Sequence, residues 1–234
     1  KDSSTPLWSY TTGGDVYGLS ISADGEYIVA GGYDDKVYLF DKDSSTPLWS
    51  YTTGGNVFSV AISEDAEYIT AGSDDYKVYL FDKNSSTPLW SYTTTDQNVV
   101  RSVAISANGE YISAGENAGK AYLFDKDSST PLWIYATGSG NAVYTTISAD
   151  GDYIAVGGNS QNVYLFDKDS NTPLWTYGTG GGNYVSISAD GKYIGVGNTE
   201  DGVYNFKNSL SDNLSVLAYG PRHGSSVDEP ILRW

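Results

Sequence analysis

An all-β fold, a β-propeller of four-stranded antiparallel blades with five as the simplest blade count, is what three features of this 234-residue sequence predict. Tryptophans Trp8, Trp49, Trp90, Trp133 and Trp175 stand 41, 41, 43 and 42 residues apart, the period of a blade built from one chain segment. Each period holds four short runs rich in β-branched and aromatic residues, bounded by Gly, Asp, Asn, Ser or Pro. None of these runs is long enough for an amphipathic helix, so a helical solenoid of the same period is disfavoured.

In the first repeat the four runs are 16–21, 27–30, 37–40 and, after a proline, 48–52; they are labelled strands a, b, c and d. Asp24-Gly25 separates a from b, a hairpin signal because its residues tolerate positive φ. Asn108-Gly109, Asp150-Gly151 and Asp190-Gly191 repeat it, whereas Asp65-Ala66 breaks it, so the second hairpin is expected to be looser or of another type. The c runs (Val37-Tyr-Leu-Phe40 and its copies) are apolar on both faces, as expected of a sheet sandwiched between two others. Pro47 and its equivalents Pro6, Pro88, Pro131 and Pro173 precede Leu-Trp, which suits the start of an outer edge strand.

The repeats divide at about 1–41, 42–82, 83–125, 126–167 and 168–207. A d-type run at 7–11 is expected to close the ring by pairing with the last a-b-c set. Residues 208–234 form a tail in which 214–219 reads as a degenerate d strand competing for that role, and Pro230-Ile-Leu-Arg-Trp234 as a strand or packing arm. The chain opens at Lys1, the equivalent of Lys42, and has no methionine, as expected of a chain processed behind a signal peptide or behind further repeats.

Segments such as Asn56-Val-Phe-Ser-Val-Ala-Ile-Ser63 followed by Lys77-Val-Tyr-Leu-Phe-Asp82 resemble a WD40-type repeat, with Phe-Asp where that family has Trp-Asp. Thr-Pro-Leu-Trp-Ser-Tyr-Thr-Thr-Gly is similar to the outer strand of PQQ-like prokaryotic propellers. The resemblance covers about residues 1–207 and implies the fold rather than an activity. The Gly-His dipeptide of WD40 proteins is absent, and no pattern justifies transferring quinone-cofactor binding.

Composition removes several classes of function. The formal net charge of −16, from 29 acidic and 13 basic residues, disfavours nucleic acid as a partner. There is no cysteine, hence no disulfide, thiolate nucleophile or cysteine metal site. No apolar run reaches the length of a spanning helix, so membrane insertion by a helix is not expected. Abundant Gly, Ser, Thr, Asp, Asn and Tyr favour an extracellular or cell-surface location. Asn84-Ser-Ser86 and Asn213-Leu-Ser215 match the N-glycosylation pattern.

Differences between the repeats locate the candidate site. The a–b and c–d turns hardly change, whereas the d–a and b–c connections vary in length and sequence and emerge on one face. Counting five residues back from the Ser that ends strand a selects Tyr17, Phe58, Arg101, Val143 and Asn183 as the channel mouth; Tyr33 and Tyr76 in the b–c turns join them. Such a mixture suits a contact surface with an aromatic pair and one Arg anchor, set against drift in tolerant loops.

The acidic pairs Asp34-Asp35, Asp74-Asp75 and Glu200-Asp201 are read mainly as turn formers. The first two are calcium candidates, and no other cofactor is expected. Paired carboxylates also allow a glycosidase reading, but three similar pairs look inherited with the repeat. Asp41-Lys-Asp43-Ser-Ser45 lacks the later Gly and Glu of a calcium loop, and the glycine clusters lack the helix of a phosphate site. His223, the single histidine, lies in a polar segment with Ser and Asp that has no triad architecture. The expected function is non-catalytic: a propeller presenting its variable face to a protein or surface polymer. A carbohydrate-binding propeller is the alternative, and a glycosidase the third.

Overall fold

The structure, a computed structural model, describes residues 4–138, 143–200 and 202–210. The first sheet is β1 (Val16–Ile21), β2 (Tyr27–Gly32), β3 (Lys36–Asp41) and β4 (Trp49–Thr52). The second is β5 (Val57–Ile62), β6 (Tyr68–Ser73), β7 (Lys77–Asp82) and β8 (Pro88–Thr93). The third is β9 (Val100–Ile105), β10 (Tyr111–Glu116), β11 (Lys120–Asp125) and β12 (Trp133–Ala136). The fourth is β13 (Val143–Ile147), β14 (Tyr153–Gly158), β15 (Asn162–Asp167) and β16 (Trp175–Gly178). A fifth sheet has three strands among the described residues, β17 (Asn183–Ile187), β18 (Tyr193–Asn198) and β19 (Gly202–Lys207). Within every sheet the strands pair antiparallel in chain order. The fold is thus all-β, a propeller of four-stranded blades, with strands a to d at or within two residues of their expected positions.

The sheets stack in sequence through their first strands, β1 on β5, β5 on β9, β9 on β13 and β13 on β17. Strand a therefore lines the axis, and Ile62, Ile105, Ile147 and Ile187 surround a cavity at its a–b-turn end. The c strands of the first four blades bury both faces, as Val37, Tyr38, Leu39 and Phe40 illustrate, whereas β19 and the outer strand β8 alternate half-buried and exposed. Between blades the fastening repeats. Trp49 of β4 crosses to the second sheet, stacks on Phe81 at 5.4 Å and donates its indole N–H to the Lys83 carbonyl at 2.7 Å. Trp90 and Trp133 make the same bonds to the Lys126 and Lys168 carbonyls. Around the axis, backbone N–H groups of Glu64, Ala107 and Ala149 donate to the carbonyls of Ala107, Ala149 and Ala189, each in the next blade.

Two expectations about turns are corrected. Each a–b hairpin is a four-residue loop, closed by Ser22 N to Tyr27 O and Gly25 N to Ser22 O in the first blade, with positive φ at Gly25 but not at Asp24. It is a turn followed by one left-handed residue, not a two-residue hairpin. The Ser22 hydroxyl donates to Asp24 Oδ1 and accepts from Tyr27 N, and Asp24 Oδ1 accepts from Glu26 N. The second hairpin is not looser: Ala66 adopts φ 61° and the Ser63–Asp65 bonds are the same. That side-chain bonding holds the loop without glycine.

Ring closure by the first d-type run is also corrected. Residues 7–11 form no strand, although Trp8 seats itself like the others, stacking on Phe40 and donating to the Lys42 carbonyl. The five sheets form an open array among the described residues, for β1 does not pack on β17. Leu19 and Ile21 are 70% and 61% exposed, where their second-blade equivalents Val60 and Ile62 are buried. The physical reason lies in the fifth sheet. Its outward face carries Gly195 and Asn205 where the first blade has Val29 and Leu39, so it has lost the apolar surface that would cover β1. The proposed closing strand at 214–219, Asn213, the His223 segment and residues 230–234 lie outside the described residues; of the tail, Asn208 continues the c–d turn by donating to Lys192 O.

The fastening and the turns can be tested separately. Trp49→Phe keeps a ring on Phe81 but leaves the Lys83 carbonyl without its donor, and is expected to cost about 1–3 kcal/mol in urea denaturation. A left-handed residue other than glycine costs roughly 1–2 kcal/mol, so Gly25→Ala, whose added Cβ meets nothing within 4 Å, should cost about that. Gly151→Ala should cost distinctly more, because the same Cβ would lie 2.4 Å from Tyr111 Cδ2 of the preceding blade. Equal losses for the two alanine variants would refute the tyrosine contact.

Candidate functional site

On the face opposite the a–b turns, the d–a and b–c connections of each blade are tied together. Thr53 N, Thr94 N, Thr137 N and Thr179 N donate to the carbonyls of Asp35, Tyr76, Gly119 and Gln161. These four acceptors are the left-handed residues of their b–c turns. In the first two blades a carboxylate reinforces the tie: Asp34 Oδ2 accepts from Gly13 N and the Tyr38 hydroxyl, and Asp75 Oδ2 from Gly54 N and the Tyr79 hydroxyl.

Strand a enters this face through a β-bulge in three blades. The ladders run Val16↔Gly32 then Gly18↔Gly31, Val57↔Ser73 then Ser59↔Gly72, and Val100↔Glu116 then Ser102↔Gly115. The residues left out of pairing are Tyr17, Phe58 and Arg101, and a bulge re-aims the side chain it displaces. They meet. Tyr17 and Tyr33 stack at 4.3 Å with 13° between planes, both set their rings edge-on to Phe58 at 6.3 and 5.8 Å, and the Arg101 guanidinium lies 3.9 Å over the Phe58 ring.

Blades four and five have no bulge, since Val143↔Gly158 is followed directly by Tyr144↔Gly157 and Asn183↔Asn198 by Tyr184↔Gly197. Counting back from the terminal Ser therefore lands one residue early there. Val143 and Asn183 are 1% exposed, and Asn183 accepts from the Thr179 hydroxyl and donates to Gly181 O inside the turn. The residues at the mouth are Tyr144 and Tyr184, whose rings lie 4.8 Å apart. Asn183 is thus replaced by Tyr184, a residue missed because a bulge changes the count.

Tyr76 is exposed at φ 72° and takes no part in a ring contact among the described residues. It aligns with Asp35, which puts the acidic pairs out of register: Asp34 matches Asp75, and Tyr33 matches Asp74. No three His, Cys, Asp or Glu side chains gather to hold a metal among the described residues; Asp34 directs one oxygen at protein donors and Asp75 both. Asp201 lies outside the described residues.

The model of the family described as outer membrane protein assembly factor BamB matches residues 1–212. No curated protein matches the chain.

The third blade holds a residue that comparison of turns did not single out. Ala118 stands where Asp34 and Asp75 stand, and the Tyr122 hydroxyl turns instead to Glu116 Oε2 at 2.8 Å. Glu116 is fully buried, with Oε1 lacking a partner. Burial holds its carboxyl above the usual carboxylate range, opposed by the Tyr122 bond and the Lys120 charge and aided by Asp96. Such a group binds its proton more tightly folded than unfolded. Its contribution therefore favours the native state at low pH and is lost as pH rises from the unfolded carboxylate value through the folded one. Glu116→Gln keeps an acceptor for Tyr122 and cannot ionise. It should be more stable than the parent at pH 8, with the gap closing toward pH 4, when denaturant midpoints are compared at both.

Proposed function

The chain belongs to the family of outer membrane protein assembly factor BamB, a PQQ-like β-propeller repeat family, and from that premise we propose that it is a non-catalytic scaffold for protein–protein or cell-surface interactions. The contact surface is the variable loop face. One observation carries this reading: Tyr17, Tyr33, Phe58, Arg101, Tyr144 and Tyr184 differ from blade to blade, yet form two ring clusters beside one arginine at the mouth. Tyr and Arg on a rigid support are the composition of binding hot spots. Placement outside the cytoplasm is supported by the family's description and by the composition; among the described residues no helix is long and apolar enough to cross a membrane.

A catalytic reading finds less support. The axial cavity is lined by isoleucines, alanines and one carboxylate, Glu64, whereas glycoside hydrolysis needs two. Carbohydrate binding remains a second reading because clefts lie beside Trp8, Trp49 and Trp175. The one at Trp49, about 360 Å³, also offers Asp41, Lys83 and Asn84.

Two measurements separate these readings. A glycan array with a calcium titration should give no glycan signal and no calcium-dependent rise in melting temperature; a signal abolished by Trp49→Ala would move the function to the clefts. In the native host, a photo-crosslinking residue at Tyr33 should give discrete protein adducts, while the same residue at Asp127, on the constant face, should not. Equal adducts from both positions would sink the scaffold reading.

A further inference from the structure

We propose that the mouth of the propeller recognises an extended peptide through a carboxylate, with Arg101 as the ion partner and the flanking tyrosine pairs as seats for neighbouring apolar side chains; this rests on the scaffold reading above. The first support is the state of Arg101. It is half-buried, one face of its guanidinium covered by Phe58 at 3.9 Å. Among the described residues its side chain has no carboxylate within ion-pair distance. The lysines of the constant face differ: Lys42, Lys83, Lys126 and Lys168 each pair with Glu26, Glu67, Glu110 or Asp152 of their own blade's a–b turn. A guanidinium with a covered face and an open edge presents parallel N–H donors, the arrangement that receives a planar carboxylate.

The surroundings narrow the ligand further. Phe58 joins Arg101 to the Tyr17–Tyr33 stack on one side. On the other, β13 packs on β9, the strand of Arg101, and carries Tyr144, whose ring lies 4.8 Å from that of Tyr184. The net charge of −16 repels polyanions over long range, so one carboxylate against one arginine is the tolerated pattern. Tyr17 and Tyr33 cover each other's faces, and Arg101 covers Phe58. Each contact closes one face of the ring it meets, so less aromatic face is open to a sugar than four separate rings would give, while the clefts between rings suit side-chain knobs.

The probe is a phage-displayed library of random twelve-residue peptides selected on the immobilised full chain. Selected sequences should share an Asp or Glu next to an aromatic or aliphatic residue. For a synthetic copy of one, Arg101→Gln should weaken binding roughly 10- to 100-fold, the range of hydrogen bonds to a charged group. Arg101→Lys should recover only part of it. Amidating the peptide's acid should weaken binding to the parent and leave binding to Arg101→Gln unchanged. Peptides that bind without an acid, or indifferently to Arg101, would overturn the carboxylate inference and leave the scaffold reading standing. Polygalacturonate binding that depends on Arg101 would replace the peptide by an acidic polysaccharide. No enrichment at all, together with no Tyr33 adducts, would remove both readings; no enrichment with adducts would remove only this one.

Discussion

A single side-chain crossing holds this array together: the tryptophan of each repeat packs on a phenylalanine of the following sheet, and Trp8, Trp49, Trp90 and Trp133 also cap a backbone carbonyl there. The ring distances lie between 5.1 and 5.4 Å at all five tryptophans. A sheet with one solvated face would alternate apolar and polar residues; the c strands of the first four blades do not, because they lie between two sheets, whereas β19, with no following sheet among the described residues, alternates. The carbonyl it caps belongs to the lysine that closes the c strand, and that lysine's ammonium pairs with the a–b turn in four blades. Exposed pairs of this kind add little on their own. Their value is positional: Thr-Pro-Leu-Trp, Phe-Asp-Lys and Ser-Ala-Asp-Gly recur together because each is one part of the same joint.

With blade stacking fixed on that side, the opposite rim answers to fewer constraints, and its exchanges show which ones persist. The c-strand tyrosine hydroxyl always needs an acceptor at the rim. Asp34 and Asp75 supply it in two blades, Glu116 in the third from two positions earlier, and the Thr137 carbonyl accepts from Tyr164 in the fourth. Three solutions to one hydrogen bond in four blades mark a rim where the fold specifies a partner but not its identity. The bulges at Tyr17, Phe58 and Arg101 use the same latitude, adding a residue to strand a without disturbing the ladder toward the constant face.

How much was legible in the sequence follows from this division. Period, strand order and the two-faced c strands were readable because they depend on repeated chemistry of adjacent residues. Of the candidate mouth residues, the count placed Tyr17, Phe58 and Arg101 in one cluster but chose the buried Val143 and Asn183 in the last two blades. A bulge adds one residue to a strand without changing its composition, so a count from the Ser cannot detect whether it is present. Aligning on the glycines of strand b would not have helped, because Gly31, Gly72, Gly115, Gly157 and Gly197 stand at the same distance from that Ser in every repeat; Tyr144 and Tyr184 emerge only from the pairing register. Ala66 was misjudged because side-chain bonds from Ser63 and Asp65 replaced what glycine usually provides. Glu116 stayed hidden because its role is set by the loss of an aspartate two residues away, at Ala118.

A stacked array exposes an apolar face at any end that has no neighbour, and a terminal repeat stays soluble by making that face polar. Asn205 for leucine and Gly195 for valine do this at one end while β18 keeps Ile194 and Val196 buried toward the fourth blade. At the other end Trp8 and Tyr10 cover the Tyr38 and Phe40 rings, but Leu19 and Ile21 remain open. Among the described residues the two ends are therefore unlike, one made polar and one partly sheathed by the same tryptophan joint that fastens the interior blades. Because those joints are self-contained, the rim between the ends can change residue by residue without loss of the frame. That separation is what makes a cluster such as Tyr17, Tyr33, Phe58 and Arg101 attributable to binding: the joints that stack the blades do not use it.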